Sequence, residues 1–163
     1  MKMQIADAVD KFIGVKDKSE IDYAKDIYRI SALWLTNPQG EILIAQRSKK
    51  LKNGPLLWGP AVAGTIEEGE TYESNIYKEA QEEIGVVNIN FVLGPKQRVA
   101  GLRNFFCQWF TAVIDKPETD FVLQEDEVDA VQWIKASDLV KDVRANPNEY
   151  VSEMSEVLSM FVK

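Results

Sequence analysis

Apolar residues along this chain recur with two different periods, and the changes between them mark out its elements. Ile27 to Leu35 is rich in β-branched and aromatic residues and stops at the turn Thr36-Asn37-Pro38-Gln39-Gly40. Glu41 to Ala45 resumes the strand pattern, so the two segments predict a hairpin. Lys49 to Pro60 reads as a basic loop, and Ala61 to Ala63 as a short buried strand that leads into Gly64. The period then becomes helical. Thr71 suits an N-cap, Glu73 suits the first turn, and Ile76, Ala80 and Ile84 form an apolar face that ends at about Ile84. Strand patterns return at Asn88–Leu93, Gly101–Asp115 and Val128–Ile134. In the second of these, alternation sets Phe105 and Trp109 on one face and Phe106 and Phe110 on the other. Ala136–Val143 predicts a short helix, with Ser137 and Asp138 near its start. Pro147–Lys163 predicts a terminal helix with Tyr150, Met154, Val157, Leu158 and Phe161 as its stripe. The opening, Met3–Phe12, fits either a short helix or an edge strand, because Ile5, Val9, Phe12 and Ile13 fall at helical spacing. This order of elements predicts an α/β fold, a mixed sheet with helices on both sides.

No repeat, low-complexity tract or long linker divides the sequence, so residues 1–163 are expected to form one domain. The net charge of −7 argues against a surface that coats nucleic acid or anionic membrane. An anionic substrate would therefore have to be met by local Lys or Arg and by metal. The chain contains no histidine, so metal or acid–base chemistry must run on carboxylates. Its single cysteine, Cys107, cannot form an internal disulfide, which fits a reducing compartment. No apolar run reaches membrane-spanning length and the N-terminus lacks a signal-peptide core, so cytoplasm is the expected location.

The densest chemistry lies between Gly64 and Val86. Glu79, Glu82 and Glu83 stand at i, i+3 and i+4, which on a helix places three carboxylates on one face. Such charges repel unless something positive sits among them. A divalent cation that prefers oxygen, Mg²⁺ or Mn²⁺ bridging to phosphate, is the natural candidate. An acidic run on a helix is more often a solvated face, so the surrounding pattern has to decide. Gly64 and Gly85 bracket the segment where a tight loop and a C-cap would need them.

That pattern resembles the Nudix box: Gly, five residues, Glu, seven residues, then Arg-Glu-apolar-any-Glu-Glu-any-Gly-apolar. Gly64, Glu70, Glu79, Ala80, Glu82, Glu83, Gly85 and Val86 all fall on it, and Lys78 stands where the family has Arg. The resemblance implies an α/β/α sandwich and hydrolysis of a diphosphate linkage in a small molecule, a nucleoside di- or triphosphate derivative. It implies Mg²⁺ or Mn²⁺ held by Glu79, Glu82 and Glu83, joined by the main-chain carbonyl of Ala63. Glu70 and the basic residue at 78 would fix the loop and orient the glutamates, although Lys lacks the two-pronged fork of Arg. A further carboxylate often joins such sites from a distant loop; Glu127 is the first choice and Glu125 the second. A charged turn before an edge strand explains that loop equally well. A homodimer is common in the family. Glu67 and Glu68 read as loop solvation.

Phosphate needs positive partners besides metal. Arg47 is the first candidate and Lys52 the next, with Arg98 and Arg103 behind them, and surface solubility is the competing explanation. Trp58, Phe105, Phe106 and Trp109 could stack a base or pack an apolar tail. Trp133 reads as core, and Cys107 as buried and inert. Beyond the box, Val9–Val15, Arg29–Leu35, Ala45–Ser48, Pro55–Trp58 and Asp126–Val128 resemble the branch that contains isopentenyl diphosphate isomerase. Those isomerases use several histidines and a cysteine near the box, and this chain has neither there. Three functions therefore stand in order: a diphosphate hydrolase, an isomerase-like enzyme, and a catalytically silent ligand-sensing module. The bulky Asn75-Ile76-Tyr77 and Lys78 keep the last of these open.

Overall fold

A computed structural model describes residues 1–163. In chain order its elements are β1 (Lys2–Ala6), β2 (Phe12–Asp17), β3 (Ile27–Thr36), β4 (Ile42–Arg47), β5 (Trp58–Pro60) and β6 (Val62–Thr65). Then follow α1 (Tyr72–Ile84), β7 (Val92–Val99), β8 (Phe105–Val113), β9 (Val128–Ile134), α2 (Ala136–Ala145) and α3 (Met154–Phe161). The long strand β3 organises the sheet. Along one edge it pairs in parallel with β8, from Tyr28↔Phe105 to Thr36↔Val113. Its other edge is shared in sequence by β1, by β6 (Ile30↔Thr65 to Leu33↔Val62) and, at Thr36↔Ile42, by β4. Antiparallel β7 extends the sheet beyond β8, while β5 and β9 flank β4.

Each face of the mixed sheet is covered, giving an α/β/α sandwich. Alternation along β8 sends Phe105, Cys107 and Trp109 to the face covered by α2 and α3, where Leu139, Val143, Met154 and Val157 pack. Phe110 and Ala112 turn to the other face, against Ile76, Ala80 and Ile84 of α1. The expected faces of the β8 aromatics and of α1 are thus both realised.

Several sequence expectations are corrected. Of the two alternatives for the opening, the strand is realised, but it pairs with both β2 and β3 and so does not lie at the sheet edge. The Asp7 carboxylate accepts from the Val9 and Lys11 amides at 2.9 Å each, and Asp10 has φ of 63°, so a turn forms where a helix would continue. Val9, Phe12 and Ile13 consequently face solvent. The predicted β3–β4 hairpin has its turn but pairs at a single position, because β4 diverges to join β5 and β9. β7 starts at Val92; Asn88, with φ of 59°, lies in a left-handed turn that a strand cannot contain. The terminal helix is shorter than predicted. Pro147–Glu149 is a single 3₁₀ turn, the Val151 amide then bonds to the Trp58 carbonyl at 2.9 Å, and a turn closed by the Met154 amide on the Val151 carbonyl precedes the helix.

Candidate active site

Helix α1 starts as the sequence predicts. The Thr71 side chain accepts from the Ser74 amide while the Ser74 hydroxyl takes the Thr71 amide, and Gly85 ends the helix with φ of 69°. The helix packs against β6, where Gly64 is required for space. A Cβ built on Gly64 would lie 2.3 Å from Cγ of Glu79 and 2.6 Å from its Cδ. Hydrogen at that position lets the Glu79 side chain cross β6 directly.

A set of neighbours fixes the loop before α1. Lys78 Nζ lies 2.5 Å from Glu70 Oε1, 3.4 Å from Glu67 Oε1 and 3.6 Å from Glu79 Oε1. Glu70 Oε2 accepts from the Glu67 amide and from Asn75 Nδ2, both at 2.9 Å. Burial alone would raise the Glu70 carboxyl, but these donors outweigh it and hold it below the usual carboxylate range. Asn75 is fully buried. It donates to the Thr65 carbonyl at 3.0 Å and approaches Glu79 Oε1 at 3.4 Å, while Ser31 Oγ donates to its Oδ1 at 2.5 Å. Lys78 thus makes by one ammonium the pairings that a guanidinium could make with a fork. Glu67 belongs to this set rather than to bulk solvent. In the sequence Asn75 shows only as an unusually bulky residue of this helix; its partners on β3 and β6 are distant along the chain and leave no local signal.

The carboxylates of α1 sit in an electrostatically unfavourable place. Burial, then the charges of Glu79 and Glu127, push the Glu83 carboxyl well above its ordinary range, against smaller opposing effects of the Ala63 amide and Arg47. Burial also raises Glu79; Lys78 opposes this and Glu82 adds to it. Glu82 is exposed on the same side of α1. No three acidic, cysteine or histidine side chains are drawn together tightly enough to form a ready-made cation cage as the side chains stand. The donors offered are all oxygen.

Glu83, Glu127, Ala63 and Arg47 line one end of a cavity of about 160 Å³. It continues inward past Ile30, Ala32, Phe105, Cys107 and Trp109. Among the residues singled out for substrate, Arg47 and Phe105 are therefore at the cavity. Arg47 is anchored by its own loop, donating through Nε to Gly54 O at 3.0 Å and through Nη2 to Asn53 O at 2.8 Å. Lys52 is exposed and Trp58 half-buried, and neither lines the cavity. Arg103 does line it, 3.1 Å from Glu153 and over the Phe105 ring, whereas Arg98 lies over Phe106. Glu125 supplies its main-chain carbonyl to Ser48 Oγ at 2.7 Å. The Cys107 thiol is buried among apolar side chains, and burial drives its pKa far up, consistent with an inert role.

Comparison with known proteins shows the family and the fold. The NUDIX domain model matches residues 27–154. A prenyl-diphosphate phosphatase from Methanosarcina mazei is 26% identical over 151 residues, covering 92% of this chain and 88% of the relative. An isopentenyl-diphosphate Delta-isomerase from Corynebacterium diphtheriae is 29% identical over 166 residues, covering 94% and 89%. In fold, the chain superposes on the crystal structure of DR0079 from Deinococcus radiodurans with a TM-score of 0.86 at 17% identity, each chain covered in full. A C. elegans Ap4A hydrolase gives a TM-score of 0.59 at 19% identity, covering 82% of this chain and 93% of the other. No helix is long and apolar enough to cross a membrane.

Proposed function

The chain belongs to the NUDIX domain family, and from that premise we propose that this Nudix hydrolase is divalent-metal-dependent and cleaves a diphosphate linkage in a small molecule, a nucleoside diphosphate or triphosphate derivative. One observation carries the reading: Glu83 is crowded by Glu79 and Glu127 at the mouth of a cavity, a cluster of negative charge with too little positive charge to balance it. The donor set, carboxylates and the Ala63 carbonyl, fits Mg²⁺ or Mn²⁺. Glu79, Glu82 and Glu83 would hold the ion, with Ala63 O and Glu127 as further ligands. When bound, it would neutralise phosphate charge and lower the pKa of the attacking water.

The protein's own residues account for the remaining work. Gly64 lets Glu79 cross β6, and Lys78 and Asn75 limit its orientations. Glu70, held by the Glu67 amide, Asn75 and Lys78, fixes the loop that leads into α1. Arg47, immobilised by its loop carbonyls, offers a positive charge to a phosphate at the cavity mouth, and Arg103 a second one. The apolar interior excludes water from the group that the diphosphate carries. The isomerase alternative would need histidines that the chain lacks, and the one cysteine lies on β8, outside the box. The silent-module alternative is disfavoured by Lys78, which keeps the pairings expected of the basic residue at that position. The test is phosphate release from nucleoside triphosphates, nucleoside diphosphate sugars, dinucleoside polyphosphates and prenyl diphosphates, each with Mg²⁺, with Mn²⁺ and with chelator. Metal-dependent release from one class supports the proposal. Silence across all classes, with ligand-induced thermal stabilisation, would favour a sensing role.

A further inference from the structure

The inner end of the cavity contains one polar side chain whose bonding is incomplete. Gln97, on β7, is only 4% exposed and lines the cavity. It pairs across the strands with Cys107, so it shares a sheet face with Cys107 and with Phe105 and Trp109 on either side of it. Its Oε1 accepts from Trp109 Nε1 at 3.1 Å. An indole nitrogen can only donate, so this bond fixes which end of the amide is oxygen and which is nitrogen. The Nε2 group is buried with no partner, and it is the one side-chain nitrogen or oxygen in the molecule in that state. Buried polar groups are nearly always hydrogen-bonded, and an amide pinned by its oxygen cannot rotate to remedy the loss.

We propose that Gln97 is a specificity-determining residue: its Nε2 donates to an acceptor on the group carried by the diphosphate, selecting a heterocyclic ring over a hydrocarbon tail. The neighbours support a flat ring at this place, with Phe105 and Trp109 supplying aromatic surface and Ile30 and Ala32 apolar contact. A nucleobase offers a ring nitrogen or carbonyl oxygen to the amide. A prenyl chain offers the apolar surface only and leaves Nε2 unpaired, which is the kind of mismatch by which sites built to hydrogen-bond reject analogues lacking the partner group. The assignment rests on the diphosphate-hydrolase reading for the location of the substrate, and it adds which chemistry that substrate carries at the far end.

The test is binding of the four common nucleoside 5′-monophosphates and of geranyl monophosphate, in the presence of Mg²⁺, measured by isothermal titration. None of these probes contains an anhydride, so the result does not depend on hydrolysis. For the wild-type protein, at least one nucleotide should bind tenfold or more tightly than geranyl monophosphate. Gln97→Met, which keeps the length and removes the donor, should weaken that nucleotide about tenfold and leave geranyl monophosphate unchanged or tighter. In turnover of the matching diphosphates the effect should fall on KM rather than kcat. Geranyl monophosphate binding the wild-type protein as tightly as every nucleotide would overturn the proposal without need of any variant. Equal weakening of both ligand types by Gln97→Met would overturn it too. A nucleotide preference that disappears in Gln97→Met, with no turnover of any diphosphate, would uphold the role of Gln97 and refute the hydrolase reading instead.

Discussion

Glu79 reaches its position because residue 64 has no side chain, and Lys78 keeps it there. Gly64→Ala brings a methyl carbon within 2.3 Å of Glu79 Cγ, so the Glu79 side chain must shift to make room. Overpacking of this kind costs about 1–3 kcal/mol. Urea denaturation should register that loss, and kcat should fall at least tenfold as Glu79 is displaced. Lys78→Met leaves Glu70 and Glu79 without their shared cation. Because Lys78 is partly exposed, the stability loss should be modest, a melting temperature lower by a few degrees, while kcat/KM falls more steeply. Equal activity in Lys78→Met would mean that the ammonium does not position the site. At this scale the sequence showed the charges and hid the amides. Glu79, Glu82 and Glu83 stand out by spacing and charge, and the resemblance to the Nudix box is what singles them out, together with Glu70, as site residues. Asn75 and Gln97 are not singled out, since a lone amide carries no periodic signal and its role depends on what the fold buries beside it.

Elements defined by local chemistry are the ones the chain discloses in advance. Helix α1 has its cap, its apolar face and its terminating glycine within a single stretch, and its bounds follow from them. Thr71→Ala should cost about 1 kcal/mol, a drop of roughly 2–4 °C in melting temperature by calorimetry, with the helix retained. Elements defined by distant partners are not disclosed. The short α3 depends on the Val151–Trp58 bond, and the divergence of β4 from β3 depends on β5 and β9 claiming its edges. The substrate candidates divide the same way. Arg47 and Phe105 reach the cavity from strands, whereas Lys52 lies in the loop before β5 and Trp58 opens β5, a strand whose register nothing local determines.

Over the whole molecule, the N-terminal hairpin, β3, β7 and α1 meet at Asp10. Its carboxylate lies 2.7 Å from Arg29 Nε, 2.5 Å from Lys96 Nζ and 2.9 Å from the Tyr72 hydroxyl. Burial alone would raise this carboxyl; the bonds from Lys96, Tyr72 and Arg29 outweigh it and hold it below its ordinary range. A carboxyl depressed in the folded state contributes stability above its unfolded pKa, near 3.9, and loses it as pH falls through the lower folded value. Acid titration of stability should therefore show a loss below about pH 4. Asp10→Asn should reduce that loss and lower stability at neutral pH; an unchanged acid limb would remove Asp10 from the account. The same arithmetic has the opposite sign at Glu83, whose carboxyl is raised by burial and by Glu79 and Glu127, so ionising it opposes folding until a cation joins it. One comparison tests the central claim: phosphate release from a nucleoside diphosphate substrate by wild type and Glu83→Gln, with Mg²⁺ and with chelator, beside their melting temperatures in chelator. Chelator should abolish wild-type turnover. Glu83→Gln should lose at least a hundredfold in kcat with Mg²⁺ and, without metal, melt at or above the wild-type temperature. Turnover that survives either chelator or Glu83→Gln would contradict the claim.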